Sequence, residues 1–267
     1  MIQENCPMST VATIAAFLEQ VAPFRLAEGW DNVGLLVGRR TAEVRKLMTC
    51  LTVTPESAEE AIEARADLIV THHPVPFTAT KRVTDETTLG RILLDLIGGQ
   101  VAVYSPHTAF DSACDGVNQR LAAGLGLRGI SPLLPHAEGQ GAGRWGWLKE
   151  PSPLAEVADR LKQFLRIQHL QLVGQSERVI RTVAIGCGAA DELLDAARAN
   201  GCDAMLLGEA RFHTCLAAQA SDIALLLPGH FASERFAVEC LADTLGKQFP
   251  EIEVWPSRRE RDPIGWR

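Results

Sequence analysis

The sequence has no paired cysteines. Its seven (Cys6, Cys50, Cys114, Cys187, Cys202, Cys215, Cys240) are odd in number, scattered, and never spaced C-x-x-C. That argues against a disulfide framework and against a cysteine-based zinc finger. Several sit in apolar runs, where cysteine behaves as a small hydrophobe. Long apolar runs are also missing, since none approaches the roughly 20 residues a membrane helix requires. The opening MIQENCPMST lacks the basic region and apolar stretch of a signal peptide. The expectation is a soluble, cytoplasmic protein with reduced thiols and no membrane partner. Positive charge is scarce as well. The net charge is −7 and the pI about 5.5, so the basic footprint that nucleic-acid binding requires is absent. The one basic cluster, Arg258, Arg259, Arg261 and Arg267, reads as a solvated end. No Ser-His-Asp or Cys-His arrangement stands out, and there is no low-complexity segment or flexible linker.

What remains is α/β sequence. Short apolar runs alternate with amphipathic stretches over 267 residues, 46% of them hydrophobic. A first helix is expected from an N-cap at Ser9. Strands are expected at 34–38, 47–53, 67–71, 101–104, 179–185, 203–207, 224–227 and 252–255. Helices are expected from Pro55, over 88–97, 116–125, 154–165, 191–199 and 231–245. Residues 131–150 read as an edge hairpin or crossover.

An internal duplication organises this series. The segment ending in DLIVTHHP lies over the one ending in DAMLLGEA, so that Asp67 matches Asp203 and His72-His73 matches Gly208-Glu209. VAVYSPHTAFD then lies over IALLLPGHFASE, placing His107 on His230 and Asp111 on Glu234, with offsets of 136 and 123 residues. The expected architecture is therefore two similar α/β halves, residues 1–128 and 129–267.

Ligands of open α/β sheets gather at the carboxyl ends of strands. Four of the seven histidines, His72, His73, His107 and His230, fall at such ends. Imidazole and carboxylate together suit Zn, Fe, Mn or Co better than Ca or Mg. His230 and Glu234 are four apart on a helix and share a face. Adjacent residues on an extended strand point to opposite sides, so His72 and His73 would serve different ions unless the chain turns there. Asp111 or Glu234 could bridge two cations. Each motif alone also reads as ordinary structure: a His-Pro loop, a helix surface pair, an N-cap at Asp111. Glu209 and His213 repeat the spacing of four and are candidate proton-transfer or cleft-lining groups. His107 could orient Asp111 or contact substrate. Trp30-Asp31-Asn32 could place polar groups near the site, although a packed Trp and an Asx turn are the default reading. The turn IGCGA at 185–189 could offer amides to a phosphate, or be a plain tight turn.

In these motifs the sequence resembles the dinuclear-metal-centre family, the GTP cyclohydrolase 1 type 2 homologues or Nif-three-like proteins. The match runs over nearly the whole chain: WDNVGLLVG, DLIVTHHP, YSPHTAFD with GVNQRLA, DAMLLGEARFH and GHFASERFAVECLA. The resemblance implies two intertwined α/β/α domains and two divalent ions on His72, His73, Asp111, His230 and Glu234. It also implies a homo-oligomer, a hexameric ring. IGCGAAD departs from the richer glycine turn of relatives, which weakens a phosphate role there. The implied function is metal-dependent hydrolysis of a small molecule, a GTP cyclohydrolase-type or related reaction by a metal-bridging hydroxide. His107, Glu209 or His213 would move protons. The alternative is a non-catalytic regulatory or metal-delivery protein.

Overall fold

The computed structural model describes residues 8–137 and 139–265. Cys6, Arg267 and residues 1–7 of the amino-terminal reading lie outside that range. Contacts divide the chain into two compact units. One runs up to Thr108 and takes back Val238–Arg261; the other comprises Ala109–Ala237 and the residues from Asp262 on. The division expected after residue 128 thus falls at Thr108/Ala109. Residues 238–261 belong with the first unit because their strand pairs into its sheet.

In the first unit the chain forms α1 (Val11–Val21), β1 (Gly34–Val37), β2 (Lys46–Cys50), α2 (Pro55–Glu63), β3 (Leu68–Thr71), α3 (Thr88–Gly98) and β4 (Ala102–Ser105). Strand β13 (Glu253–Pro256) joins them from the far end of the sequence, giving the order β1-β4-β3-β2-β13. Only the β1–β4 pair is antiparallel. The cap of α1 is Thr10, whose hydroxyl accepts from the Thr13 amide. Ser9, expected there, instead donates to Glu251. Thr54 and Ser57 form a reciprocal capping box around Pro55 at the start of α2. Met48, Ile69 and Val103 point from neighbouring strands to one face of the sheet. There they pack with Ala58 and Ala61 of α2 and Ile92 and Leu96 of α3. Burying each large side chain contributes about 1.5–3 kcal/mol.

The second unit contains α4 (His107–Ser112, from Ala109 on), α5 (Val117–Gly124), β5 (Arg128–Ser131), the hairpin β6 (Leu134–Ala137) and β7 (Gln140–Ala142), and β8 (Arg144–Pro153). It continues with α6 (Leu154–Leu165), β9 (Gln171–Val173), β10 (Val179–Gly186), α7 (Leu194–Ala199), β11 (Ala204–Leu207), α8 (Phe212–Ala220), β12 (Ala224–Leu227) and the start of α9 (His230–Gln248). Its sheet has the order β5-β8-β10-β11-β12-β9. Three short elements, α4, α8 and β9, carry too little periodicity to be read from sequence. Among the described residues no helix is long and apolar enough to cross a membrane.

The duplication is present in the hydrogen bonds themselves. The order β1-β4-β3-β2 recurs as β9-β12-β11-β10, with the outer antiparallel partner preserved. A carboxylate oxygen of Asp67 accepts the amides of Arg45 and Lys46 at 2.7 and 2.9 Å. Asp203 accepts those of Arg181 and Thr182 at 2.7 and 3.0 Å. The second offset needs a correction. Register places Val103 beside Ile69 and Leu225 beside Met205, so the strands are offset by 122 residues and only the histidines by 123. The extra residue is Gly229, at φ +102°; in the first copy His107 itself makes the turn, at φ +28°.

The carboxyl-terminal segment is held by Glu60 of α2. Its carboxylate accepts from Ser257 Oγ (2.7 Å), the Arg258 and Arg259 amides (3.0 Å each) and Trp255 Nε1 (3.3 Å). Burial alone would raise its pKa, but these four donors outweigh it and hold the group below its usual 4.5. A group whose folded pKa is depressed stabilises above its unfolded pKa. Glu60→Gln should therefore cost about 2 kcal/mol at neutral pH. The difference from wild type should shrink as the pH falls through and below about 4.5, as read by urea melts at several pH values.

Candidate metal centre

Strand pairing carries past the end of β3. The His72 amide donates to Cys50 O and the His73 amide to Leu51 O. At those two residues the chain bends, so the alternation of a straight strand lapses. The turn that the sequence reading required before both could face one ion is present here. Their ring centroids are 5.2 Å apart. One ligand atom from each of His72, His73 and His107 lies within 4.8 Å of the other two. Three imidazoles inside one unit can thus offer nitrogen to one ion. His72 is buried, and His73 Nδ1 shares a 2.7 Å hydrogen bond with Thr52 Oγ1.

His107 opens α4 at a positive φ, a conformation that costs a non-glycine residue energy and persists where its surroundings impose it. Asp31 imposes it here. Its Oδ1 accepts His107 Nδ1–H at 2.7 Å and the Asn32 amide at 2.7 Å. Its Oδ2 accepts the Thr108 amide at 3.1 Å and the Thr108 hydroxyl. Burial acts to raise the Asp31 pKa, but the donors from His107 and Thr108 win and set it at about 2. The ionised carboxylate fixes the proton on Nδ1 and makes Nε2 the lone-pair atom of the ring. Sequence reasoning treated this aspartate as an Asx turn. The backbone bond goes to the adjacent Asn32 amide and not two residues on as an Asx turn requires, and the residue's larger role is to hold His107.

The second unit carries its own cluster at the ends of the matching strands. His230 opens α9, and its Nε2 lies 3.1 Å from Glu234 Oε2 one turn on. Its Nδ1 donates to Glu209 at 3.0 Å. The hydrogen bond to Glu234 is the largest cause raising the His230 pKa to about 9, against burial and with help from Glu209. A cation is the natural replacement for that proton, because the same carboxylate oxygen would serve it. Glu209 is exposed and works through His230. His213 is exposed on α8 beside Phe212. Among the described residues it joins no group of potential metal donors.

Asp111 accepts from the Cys187 thiol, Sγ to Oδ1 3.1 Å. Burial, then the charges of Asp111 and Glu234, push that thiol well above its usual range, so it stays protonated. No spacing signalled Cys187. The turn that bears it is a tight turn. The Cys187 amide donates to Asn118 Oδ1 and the Gly188 amide to Ser233 Oγ, which leaves neither for a phosphate. Gly188 is at φ +60°, and a Cβ there would stand 2.3 Å from Glu234 Oε1. Any other residue would be strained at that φ and would push the Glu234 carboxylate aside.

Residues 9–263 match the model of the family Duf34/NIF3 (NGG1p interacting factor 3). The chain belongs to the Duf34/NIF3 family. A Clostridium acetobutylicum relative named "GTP cyclohydrolase 1 type 2 homolog" is 34% identical over 84% of this chain and 85% of its own. A Streptomyces coelicolor relative of the same name is 36% identical, covering 85% and 82%. NIF3-like protein 1 of Drosophila melanogaster is 31% identical, covering 95% and 88%. Among solved structures, Staphylococcus aureus protein SA1388 superposes with a TM-score of 0.88 at 26% identity, over 96% of this chain and 99% of that one. Reduced HcgD from Methanocaldococcus jannaschii gives 0.81 at 23%, over 93% and 97%, a likeness of fold. The duplicated α/β architecture is thus that of Duf34/NIF3 proteins, and both clusters of this member consist of groups able to bind a metal ion.

Proposed function

We propose that this Duf34/NIF3 member is a metal-dependent hydrolase, with two divalent ions held by His72, His73, Asp111, His230 and Glu234. The observation that carries the reading is the bent His72-His73 pair with His107, a compact trio of imidazoles in which a buried carboxylate holds His107. His230 with Glu234 supports it from the matching strand end of the second repeat. Mixed nitrogen and oxygen donors of this kind favour Zn, Fe or Mn over Ca or Mg. Bound ions would acidify water and polarise the bond under attack. The protein's own part is orientation and proton transfer. Asp31 holds His107 so that Nε2 can take or return a proton. Glu209 turns His230 through Nδ1, leaving Nε2 for the ion. His213 has no part in this proposal.

The names of the Clostridium and Streptomyces relatives make purine-nucleotide ring opening the first reaction to try. Metal-loaded full-length protein should turn over at least one member of a nucleotide and phosphoester panel, and chelation should abolish that turnover. Tight metal binding with no turnover on the whole panel would decide instead for a metal-delivery or regulatory role. The hexameric ring implied by family likeness is part of the same proposal, and light scattering would measure it.

A further inference from the structure

Beside the three imidazoles stand two rings that a globular protein would ordinarily bury. Trp30 is 64% exposed and Phe77 53%. They are far apart in the chain, yet their centroids lie 6.0 Å apart at an interplanar angle of 37°. Both also meet His107, Trp30 at 6.0 Å and Phe77 at 5.8 Å, each near edge-on. Neither sits on a loose loop. Asn32 Nδ2 donates to Pro76 O at 2.9 Å, tying the residues after Trp30 to the one before Phe77. The carboxylate of Asp31, between Trp30 and Asn32, is fully buried in its bonds to His107 and Thr108. Two aromatic faces are thus fixed in water, next to the candidate metal donors and already ordered.

We propose that Trp30 and Phe77 form a stacking surface for a planar heteroaromatic ring, the nucleobase of the molecule on which the imidazole site acts. The inference rests on the hydrolase reading above and names its substrate class. Three features favour a base over a second protein. The apolar surface is small, because residues 78–87, which follow Phe77, are exposed and mostly polar. A stable protein interface needs about 800 Å² per partner, far more than two rings supply. The contact with His107 makes the surface continuous with the candidate site. Every base has a π-face, and stacking on an aromatic side chain is tolerant of which base it is. The same exposed loop carries Lys81 and Arg82, which suit a phosphate-bearing ligand.

The test uses metal-loaded, full-length protein and isothermal titration with guanosine triphosphate, guanosine and inorganic triphosphate. Trp30→Ala and Phe77→Ala should each weaken the two guanosine compounds by about 10-fold or more. Inorganic triphosphate should be unaffected, and Trp30→Phe should retain most of the affinity. Failure of the wild type to bind any base-bearing probe overturns the proposal. So does an equal loss for inorganic triphosphate. So does a change of oligomeric state in Trp30→Ala with ligand affinity intact, which would assign the rings to a second copy. Metal content by elemental analysis should stay at the wild-type value in all three variants. Base-dependent binding with no turnover would retire the hydrolase reading while leaving the stacking surface in place.

Discussion

Replacing Arg144 with methionine should cost about 4 kcal/mol, a large part of the 5–15 kcal/mol by which proteins of this kind are stable. Arg144 has no exposed surface. Its Nη1 donates to Gly141 O and Gly143 O at 2.7 Å each, its Nη2 to Ala113 O at 2.7 Å and Ser112 O at 3.3 Å, and its Nε to Gln119 at 2.9 Å. Burial lowers its pKa, yet the guanidinium stays charged. Methionine fills similar volume but strands those carbonyls without donors, and each costs about 1–3 kcal/mol. Lysine should rescue little, since an ammonium lacks the planar fork that reaches acceptors on several sides. A urea midpoint for Arg144→Met close to that of the wild type would remove Arg144 as the centre of this network. The site is affected too, because two of the anchored carbonyls, Ser112 and Ala113, immediately follow Asp111.

The second large effect is on metal content. Wild-type protein prepared without chelator should carry about two ions per chain. The His73→Ala/Glu234→Ala double variant should carry close to none. Glu234 is buried against Gly188 and paired with His230, so its loss also lowers stability directly. Thermal shift separates the two effects. An ion that binds only the folded form adds about 2.7 kcal/mol at 100 times its dissociation constant. The melting temperature of the wild type should rise with added Zn or Mn, whereas that of the double variant should not respond. Repeating the pair with Glu234→Gln keeps the side-chain volume and its contact with Gly188. Unchanged metal content in the double variants would refute the ligand assignment.

Most strands were legible because buried parallel strands are short, nearly continuous apolar runs, as at DLIVT and AMLL. The repeat was legible for a related reason. Asp67 and Asp203 each tie a strand start to its neighbour, and that task fixes both residue type and position. The helix starting near Ser9 was one residue off, since Ser9 and Thr10 are equally good caps and only Glu251, far away in the chain, draws Ser9 off. The return of residues 238–261 to the first unit was not legible, because pairing of β13 with β2 is a long-range event that no local composition reports.

The sequence by itself determined which chemical groups stand at the ends of which strands, for an alternating pattern of burial and a repeated polar motif are local properties of the chain. Only the tertiary structure decided how those groups are aimed. It bent the chain at His72-His73, set Asp31 behind His107, laid Cys187 on Asp111 and pressed Gly188 against Glu234. Each of these pairings except the first joins residues distant in sequence. Hydrogen-bond direction and close packing depend on where two segments meet, which neither segment encodes alone.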